Sequence, residues 1–267
     1  MNTLSAKQYI QYSRTMLLND IGEAGQLAII NSQVAIIGLG GLGQLVVQYL
    51  AAAGVKQFIL LDHDVVALDN LPRQLLYNEA DIGQYKVTAA KRTLRRLYSD
   101  IYFDAIPEML TETSISELSD KLSKDVLIFD CTDNFASRHV INQHCVTQGL
   151  TLISAAISAY HGQLFCIDFG AKITHEKQHG CYRCLYPLDI ETNQTCSQQG
   201  VLGPAVGVMA SMQALIGLQH ICNTFTQYGM LLRFDALTLQ WYQAKMNRDQ
   251  QCTLCQQPQL QEYAHGC

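Results

Sequence analysis

The sequence predicts an α/β fold: a Rossmann-like, doubly wound, mostly parallel sheet, extended by a mixed or antiparallel C-terminal part. Three observations predict it. Short β-branched apolar runs alternate with helical segments through the first 157 residues. The first run feeds straight into a glycine-rich loop. Past Ile157 the alternation stops, and two Cys-x-x-Cys pairs appear, Cys181/Cys184 and Cys252/Cys255.

The elements follow in order. Helical patterns run from about Ala6 to Leu18 and from Glu23 to Ile30. Val34 to Ile37 is β-branched without polar alternation, which is how a parallel strand buried on both faces reads. Gly38-Leu39-Gly40-Gly41-Leu42-Gly43 follows, then an Ala-rich helix to about Ala53. Phe58 to Leu61 is a second strand ending at Asp62. Lys86 to Tyr98 is helical, with Arg95 and Arg96 placed to complement the negative end of the dipole. Ile101–Ile106 and Val126–Phe129 read as strands, Phe135–Gln148 as a helix and Thr151–Ser154 as a strand. Beyond Ile157, Gln163–Asp168, Leu231–Asp235 and Thr238–Ala244 read as strands without crossover helices, around one long helix from about Pro204 to Asn223. One domain over residues 1–267 is expected. It comprises N-terminal helices (1–32), a nucleotide-binding part (33–157) and a part extending the same sheet (158–267).

Composition narrows the function. The 267 residues are 48% hydrophobic and 15% charged, with 18 Gly and 5 Pro, which excludes extended disorder and fibrous repeats. A net charge of −5 leaves no basic face that would make nucleic acid the default partner. The N-terminus has no apolar run of signal-peptide length. Val201–Cys222 is the most apolar stretch, but Gln213, Gln219 and His220 make it a core helix rather than a membrane span. A cytoplasmic location is expected. Ten cysteines in a reducing compartment are not read as disulfides.

Four motifs carry chemistry. After a strand, Gly38, Gly40, Gly41 and Gly43 let a phosphate approach the backbone, and the next helix aims its free N–H groups at the anion. Asp62 lies at the distance where a carboxylate takes a ribose. This pattern alone also suits an NAD enzyme. The second motif argues against NAD: Asn70, Arg73 and Gln74 follow the second strand, and Lys86 opens a helix. A hydride transfer has little need of that charge, whereas expelling pyrophosphate from a triphosphate does. Taken singly, Arg73 and Lys86 also fit as ordinary solvated charges. The third motif is Asp130-Cys131-Thr132-Asp133-Asn134 at a strand's carboxyl end, the ligand edge of a parallel sheet. Asp130 is read as an Mg²⁺ ligand and Asp133 as the N-cap of the following helix. Fourth, Cys181, Cys184, Cys252 and Cys255 supply the four thiolates of a closed structural zinc site. Sixty-seven residues separate the pairs, so the ion would staple the C-terminal tail to the middle of the fold. Redox dithiols are the alternative, and His179 and Cys267 are weaker candidate ligands. Cys131, Cys145, Cys166 and Cys222 read as small core residues, while Cys196 sits in a polar, turn-like segment. The eight histidines form no catalytic or metal spacing.

Together these residues resemble the ThiF/MoeB/HesA family, bacterial relatives of the ubiquitin-activating E1 enzymes. The resemblance rests on Tyr12–Leu18, Gly38–Gly43, Asn70 with Arg73-Gln74, Lys86 and Asp130–Asn134. It continues through Gly180–Cys184 and Gly200–Pro204 to Cys252 and Cys255. It implies that ATP, with Mg²⁺, adenylates the Gly-Gly carboxylate of a ubiquitin-like sulfur carrier protein and releases pyrophosphate. Residues 158–267 would then hold the carrier and the zinc. By the same resemblance Arg73 and Lys86 act on the phosphates, and Asp130 holds Mg²⁺. Asn70 and Gln74 are further ATP contacts. Arg14 enters the partner subunit's site, which makes the active unit a homodimer. Cys181–Pro187 and Gly203–Met209 look closer to members serving a ThiS-like carrier in thiamine thiazole synthesis than to those serving a MoaD-like carrier in molybdopterin synthesis. Cys196 matches a cysteine that joins the carrier's thiocarboxylate through an acyl disulfide; an exposed loop thiol is its plainer reading. A sulfur donor protein is a further possible partner. Two positions depart from the family pattern: Tyr85 stands where Pro is common, and Pro72 replaces a polar residue. An NAD-dependent dehydrogenase and a non-catalytic zinc-stapled scaffold are the rival readings. Arg14, Arg73, Lys86 and Asp130 as a set argue against both.

Overall fold

The computed structural model describes residues 3–170, 179–188 and 200–255. Eight strands form one mixed sheet. They are β1 (Gln33–Ile37), β2 (Gln57–Leu61), β3 (Tyr102–Ile106), β4 (Leu127–Asp130), β5 (Thr151–Ser158), β6 (His161–Asp168), β7 (Met230–Asp235) and β8 (Gln240–Lys245). Their spatial order is β3-β2-β1-β4-β5-β6-β7-β8. The first five are mutually parallel and the last three pairings are antiparallel. The order reverses between β1 and β4, and a ligand crevice belongs at the carboxyl ends there.

Period-two alternation explains the layering. Val34 and Ile36 of β1 enter a core with α4 (Gly43–Ala53), α5 (Lys86–Leu97) and α9 (Gly203–Ile221). Ala35 and Ile37 enter the opposite core, with α6 (Glu112–Ser119) and α7 (Phe135–Gln148). A strand apolar at every position must be covered on both faces, and here it is.

Three details differ from the sequence expectation. The first helix is two, α1 (Ala6–Gln11) and α2 (Ser13–Met16), followed by α3 (Gly22–Asn31). The break is at Tyr12, with φ −103° and ψ 11°. Its ring is buried against Gly54, and its hydroxyl accepts a bond from Lys56 Nζ at 3.2 Å. Anchoring that ring holds the backbone out of helical geometry. Helix α6 was not expected; Thr111 caps it by accepting from Ser114 N at 3.0 Å. Strand β5 continues past Ser154 to Ser158 and turns through Ala159-Tyr160 into β6, with Ala159 at φ +50°. That hairpin lacks the Gly or Asn that usually announces such a backbone. Among the described residues no helix is long and apolar enough to cross a membrane.

Candidate active site

A cleft of about 930 Å³ opens at the carboxyl ends of β1, β2 and β4. Gly38, Gly40, Gly41, Asp62, Asn70, Arg73, Gln74 and Lys86 all line it. The loop is glycine-rich for identifiable reasons. Gly38 has φ +90°, and a Cβ there would lie 2.8 Å from the Cys131 carbonyl oxygen. A Cβ on Gly43 would lie 1.9 Å from the Gly38 carbonyl oxygen. Helix α4 begins at Gly43 without a side-chain cap; Gln44 N donates to the Gly40 carbonyl at 3.3 Å, and Leu45 N and Val46 N each donate to the Leu42 carbonyl at 3.0 Å, so an anion would meet the glycine loop and the positive end of the helix dipole.

Asp62 braces this loop. Leu39 N donates to its Oδ2 at 2.6 Å, and Asp64 N donates to its Oδ1 at 2.7 Å. Burial pushes its carboxyl above the ordinary value, opposed by the Lys86 charge. Lys86 is nearly buried and pairs with Asp64 Oδ2 at 2.8 Å. Burial pushes the Asp64 carboxyl up, but the Lys86 bond and charge outweigh it and hold that group below its usual value. Arg73 ends a 3₁₀ segment, Leu68–Arg73, and its Nη1 donates to the Asp69 carbonyl at 2.7 Å. Gln74 is buried, and its Oε1 has no hydrogen-bond partner. A buried acceptor without a donor is costly, so Gln74 offers a ready contact to a ligand N–H.

Asp130 and Asp133 are placed differently from one another. Asp130 ends β4 but does not line the cleft, and it is 1% exposed. Thr132 N and Oγ1 donate to its Oδ1 at 3.0 and 2.7 Å, Ser154 Oγ donates to Oδ2 at 2.6 Å, and Arg138 Nη1 lies 3.8 Å away. Little of this carboxylate is left for a cation. Asp133 lines the cleft and is exposed. It is not the cap of α7: Asn134 is, accepting from Ser137 N at 2.8 Å. The N-cap expectation for Asp133 is thus corrected.

Several supporting residues gave no motif in the sequence. Gln44 of α4 donates to the carbonyls of Gly41 (3.1 Å) and Arg73 (3.4 Å) and accepts from Leu76 N (3.0 Å), tying the two phosphate-side segments together. Tyr77 donates its hydroxyl to the Leu39 carbonyl at 2.8 Å. Gln213 of α9 donates to the carbonyls of Asp130 (2.9 Å) and Ile153 (3.0 Å). A glutamine inside an apolar helix was the available signal, since a buried amide needs partners.

The four paired cysteines converge. Sγ–Sγ distances are 3.9 Å for Cys181–Cys184, 3.8 Å for Cys181–Cys252 and 3.4 Å for Cys184–Cys255, and all four sulfurs lie within 4.8 Å of one another. Tetrahedral zinc with bonds near 2.3 Å sets sulfurs about 3.8 Å apart. The donor set therefore fits one zinc ion. His179 is not in this cluster. Gly180 N donates to the Met246 carbonyl at 2.8 Å, and Tyr182 N donates to Asn142 Oδ1 at 2.9 Å. These bonds seat the short helix α8 (Tyr182–Leu185) between the sheet and α7. Arg14, on α2, is exposed and does not line its own chain's cleft. Cys196 and Cys267 lie outside the described residues.

Comparison with known proteins places the chain in a family. The sulfur carrier protein ThiS adenylyltransferase of Escherichia coli K12 is 38% identical over 252 residues, 94% of this chain and 97% of that one. The molybdopterin-synthase adenylyltransferase of the same organism is 35% identical over 258 residues, 96% of this chain and all of that one. Among solved structures, E. coli MccB with succinimide superposes with a TM-score of 0.77 at 23% identity, covering 92% of this chain and 73% of that one, a likeness of fold. Both curated relatives are nucleotidyltransferases by name, as is expected here. The ThiF family pattern matches residues 12–254. With that match spanning most of the sequence, the chain belongs to the ThiF family.

Proposed function

We propose that the chain adenylates the C-terminal Gly-Gly carboxylate of a ThiS-like, ubiquitin-like sulfur carrier, ahead of thiocarboxylate formation in thiamine thiazole synthesis. What supports this most is the cleft, which gathers a phosphate-binding glycine loop, Arg73 and Lys86 around one volume. ATP fits these residues: the glycine loop at the positive end of α4 suits phosphates and the partnerless Gln74 Oε1 suits a base or ribose donor. An ionised carboxylate oxygen of the carrier attacks the α-phosphorus. The bond from that phosphorus to the bridging oxygen breaks, and pyrophosphate leaves with its electrons. Arg73 and Lys86 stabilise the charge that develops on the phosphates. No general base is required, because the nucleophile carries no proton. Lys86 would exchange its Asp64 partner for phosphate, while Asp62, braced against the loop, would face the ribose and Asn70 the nucleotide.

Mg²⁺ would supply charge neutralisation. Asp133, which lines the cleft, would hold it, in place of the Asp130 expected from the sequence, with Asp130 acting from behind to hold the strand end. Arg14 would complete the site of a second copy in a homodimer, since it lies outside its own cleft. Cys196 would take the carrier's thiocarboxylate as an acyl disulfide, with sulfur from a donor protein, and zinc would sit on Cys181, Cys184, Cys252 and Cys255. A cytoplasmic location suits these reduced thiols. A MoaD-like carrier is the second reading, kept because the molybdopterin-synthase adenylyltransferase aligns along its whole length. ATP–pyrophosphate exchange with each folded carrier offered separately tests the proposal. Exchange with the ThiS-like carrier alone is expected. Exchange with the MoaD-like carrier alone transfers the assignment, and none with either removes the catalytic reading.

A further inference from the structure

The four cysteines are not equivalent. Cys181 and Cys252 are 0% and 5% exposed, whereas Cys184 and Cys255 are partly exposed. A separate cavity of about 220 Å³ adjoins the cluster; Cys181 and Cys184 both line it, with Leu185, Leu231 and Lys245, and of these two thiols only Cys184 also reaches the surface. The closest sulfur pair, at 3.4 Å, is the outer one, Cys184 and Cys255. We infer that this outer pair is a peroxide-sensitive modification site, with Cys184 oxidised first and Cys255 resolving it to a disulfide. The inference concerns the staple and does not rest on the adenylation proposal.

The chemistry balances. A metal-held cysteine is a thiolate, which is the nucleophilic form. The Cys184 thiolate attacks one oxygen of hydrogen peroxide, the O–O bond breaks, hydroxide leaves and a sulfenic acid forms. The Cys255 thiolate then attacks that sulfur, the S–S bond forms, the S–O bond breaks and a second hydroxide leaves. Two solvent protons convert both hydroxides to water. The two thiolates have given two electrons to the peroxide. Half of the donor set is then lost, and metal affinity falls with it. The other described thiols are poor competitors. Cys131, Cys145 and Cys166 are buried in apolar surroundings, and burial pushes each thiol well up, so they stay protonated. Cys222 is also pushed up by burial.

The consequence reaches the cleft. Tyr182 N, beside Cys181, bonds Asn142 of α7, and Arg183 donates to Gln143 of the same helix at 3.0 Å. The first turn of α7 carries Ser137 and Arg138, which line the cleft. The cluster is thus joined, through two hydrogen bonds, to a helix whose first turn borders the cleft.

The test uses full-length, zinc-loaded protein and graded hydrogen peroxide, with zinc release read by a colorimetric chelator and disulfides read by peptide mapping. One zinc is expected per Cys184–Cys255 disulfide, with reversal by dithiothreitol plus zinc. A different first disulfide, or zinc retained while other thiols oxidise, overturns the inference. In Cys255→Ser, a sulfenic-acid trap should label Cys184 several-fold more than in the wild type. Equal labelling removes Cys255 from the resolving role. If that variant fails to fold, the wild-type map alone decides.

Discussion

The two halves of the sheet are held together by different means. Around β1 to β4 the strands are parallel, covered on both faces, and joined by helices that bring each successive residue to the next layer. Around β6 to β8 the strands are antiparallel, and β8 is exposed at every position. There the tail meets the fold at sulfurs from residues 71 apart in sequence, Cys181 with Cys252 and Cys184 with Cys255, a set that could hold one metal ion. A region built on local burial keeps its shape when one polar contact is removed. β6 and β7 also bury residues in the two cores, but the tail beyond β8 would depend on a metal held by the cysteines. The first half can therefore host buried polar groups such as Gln74, whose Oε1 has no partner, and Lys86, paired only with the half-exposed Asp64, while the second supplies attachment.

Four experiments press on this contrast, from the largest effect to the smallest. Lys86→Ala should lower adenylation by about 10²-fold or more, the usual loss when one preorganised charge donor is removed. Its Tm should stay near wild type, because the partner left behind, Asp64, is half solvent-exposed. A large drop in Tm would mean that Lys86 is structural. Cys252→Ser, or chelation of zinc, should lower Tm by roughly 5–10 °C, since a structural ion contributes folding energy. Hydrogen exchange should rise first in β6 to β8 and in α8; uniform exchange across the sheet would abolish the distinction between the halves.

The third experiment separates two carboxylates three residues apart. Asp130→Asn should cost about 3 kcal/mol in urea unfolding, because Arg138 beside it is buried and loses its charge partner. Asp133→Asn should leave unfolding within about 0.5 kcal/mol and instead weaken the Mg²⁺ dependence of exchange. The reverse pattern would return Mg²⁺ to Asp130. The smallest effect is acid sensitivity. The Asp64 carboxyl is held below its ordinary value of 3.8 by Lys86. Its contribution is present above that value and is lost as pH falls through the lower, folded value. Unfolding of Asp64→Asn should therefore converge with wild type once the pH lies below the folded value of the Asp64 carboxyl. A difference between them that persisted there would rule out the ion pair as its cause.

The contrast also governs how much was legible in the sequence. β1, β2 and β4, the glycine loop, Asp62 and α7 all follow from local pattern: apolar runs, turn chemistry and period. Lys86 opening a helix was equally visible. The assignments that needed tertiary packing did not emerge. Tyr12 breaks the first helix because its ring is held under Gly54, a contact between segments 42 residues apart. Asp130 and Asp133 have the same chemistry and neighbouring positions, and burial alone distinguishes them. The cysteine spacing named four ligands, yet their division into inner and outer pairs depends on how α8 packs. Gln44, Tyr77 and Gln213 form no motif at all, and their importance lies in which carbonyls they reach.

The most direct test of the proposed chemistry is the intact mass of the carrier. A folded ThiS-like carrier with its Gly-Gly terminus would be incubated with the chain, ATP and Mg²⁺, with pyrophosphatase present. The carrier should gain the mass of one AMP at its C-terminus, and a carrier lacking the last glycine should gain nothing. An unmodified carrier, with ATP intact and the chain shown to be folded and zinc-loaded, would contradict adenylation by this cleft.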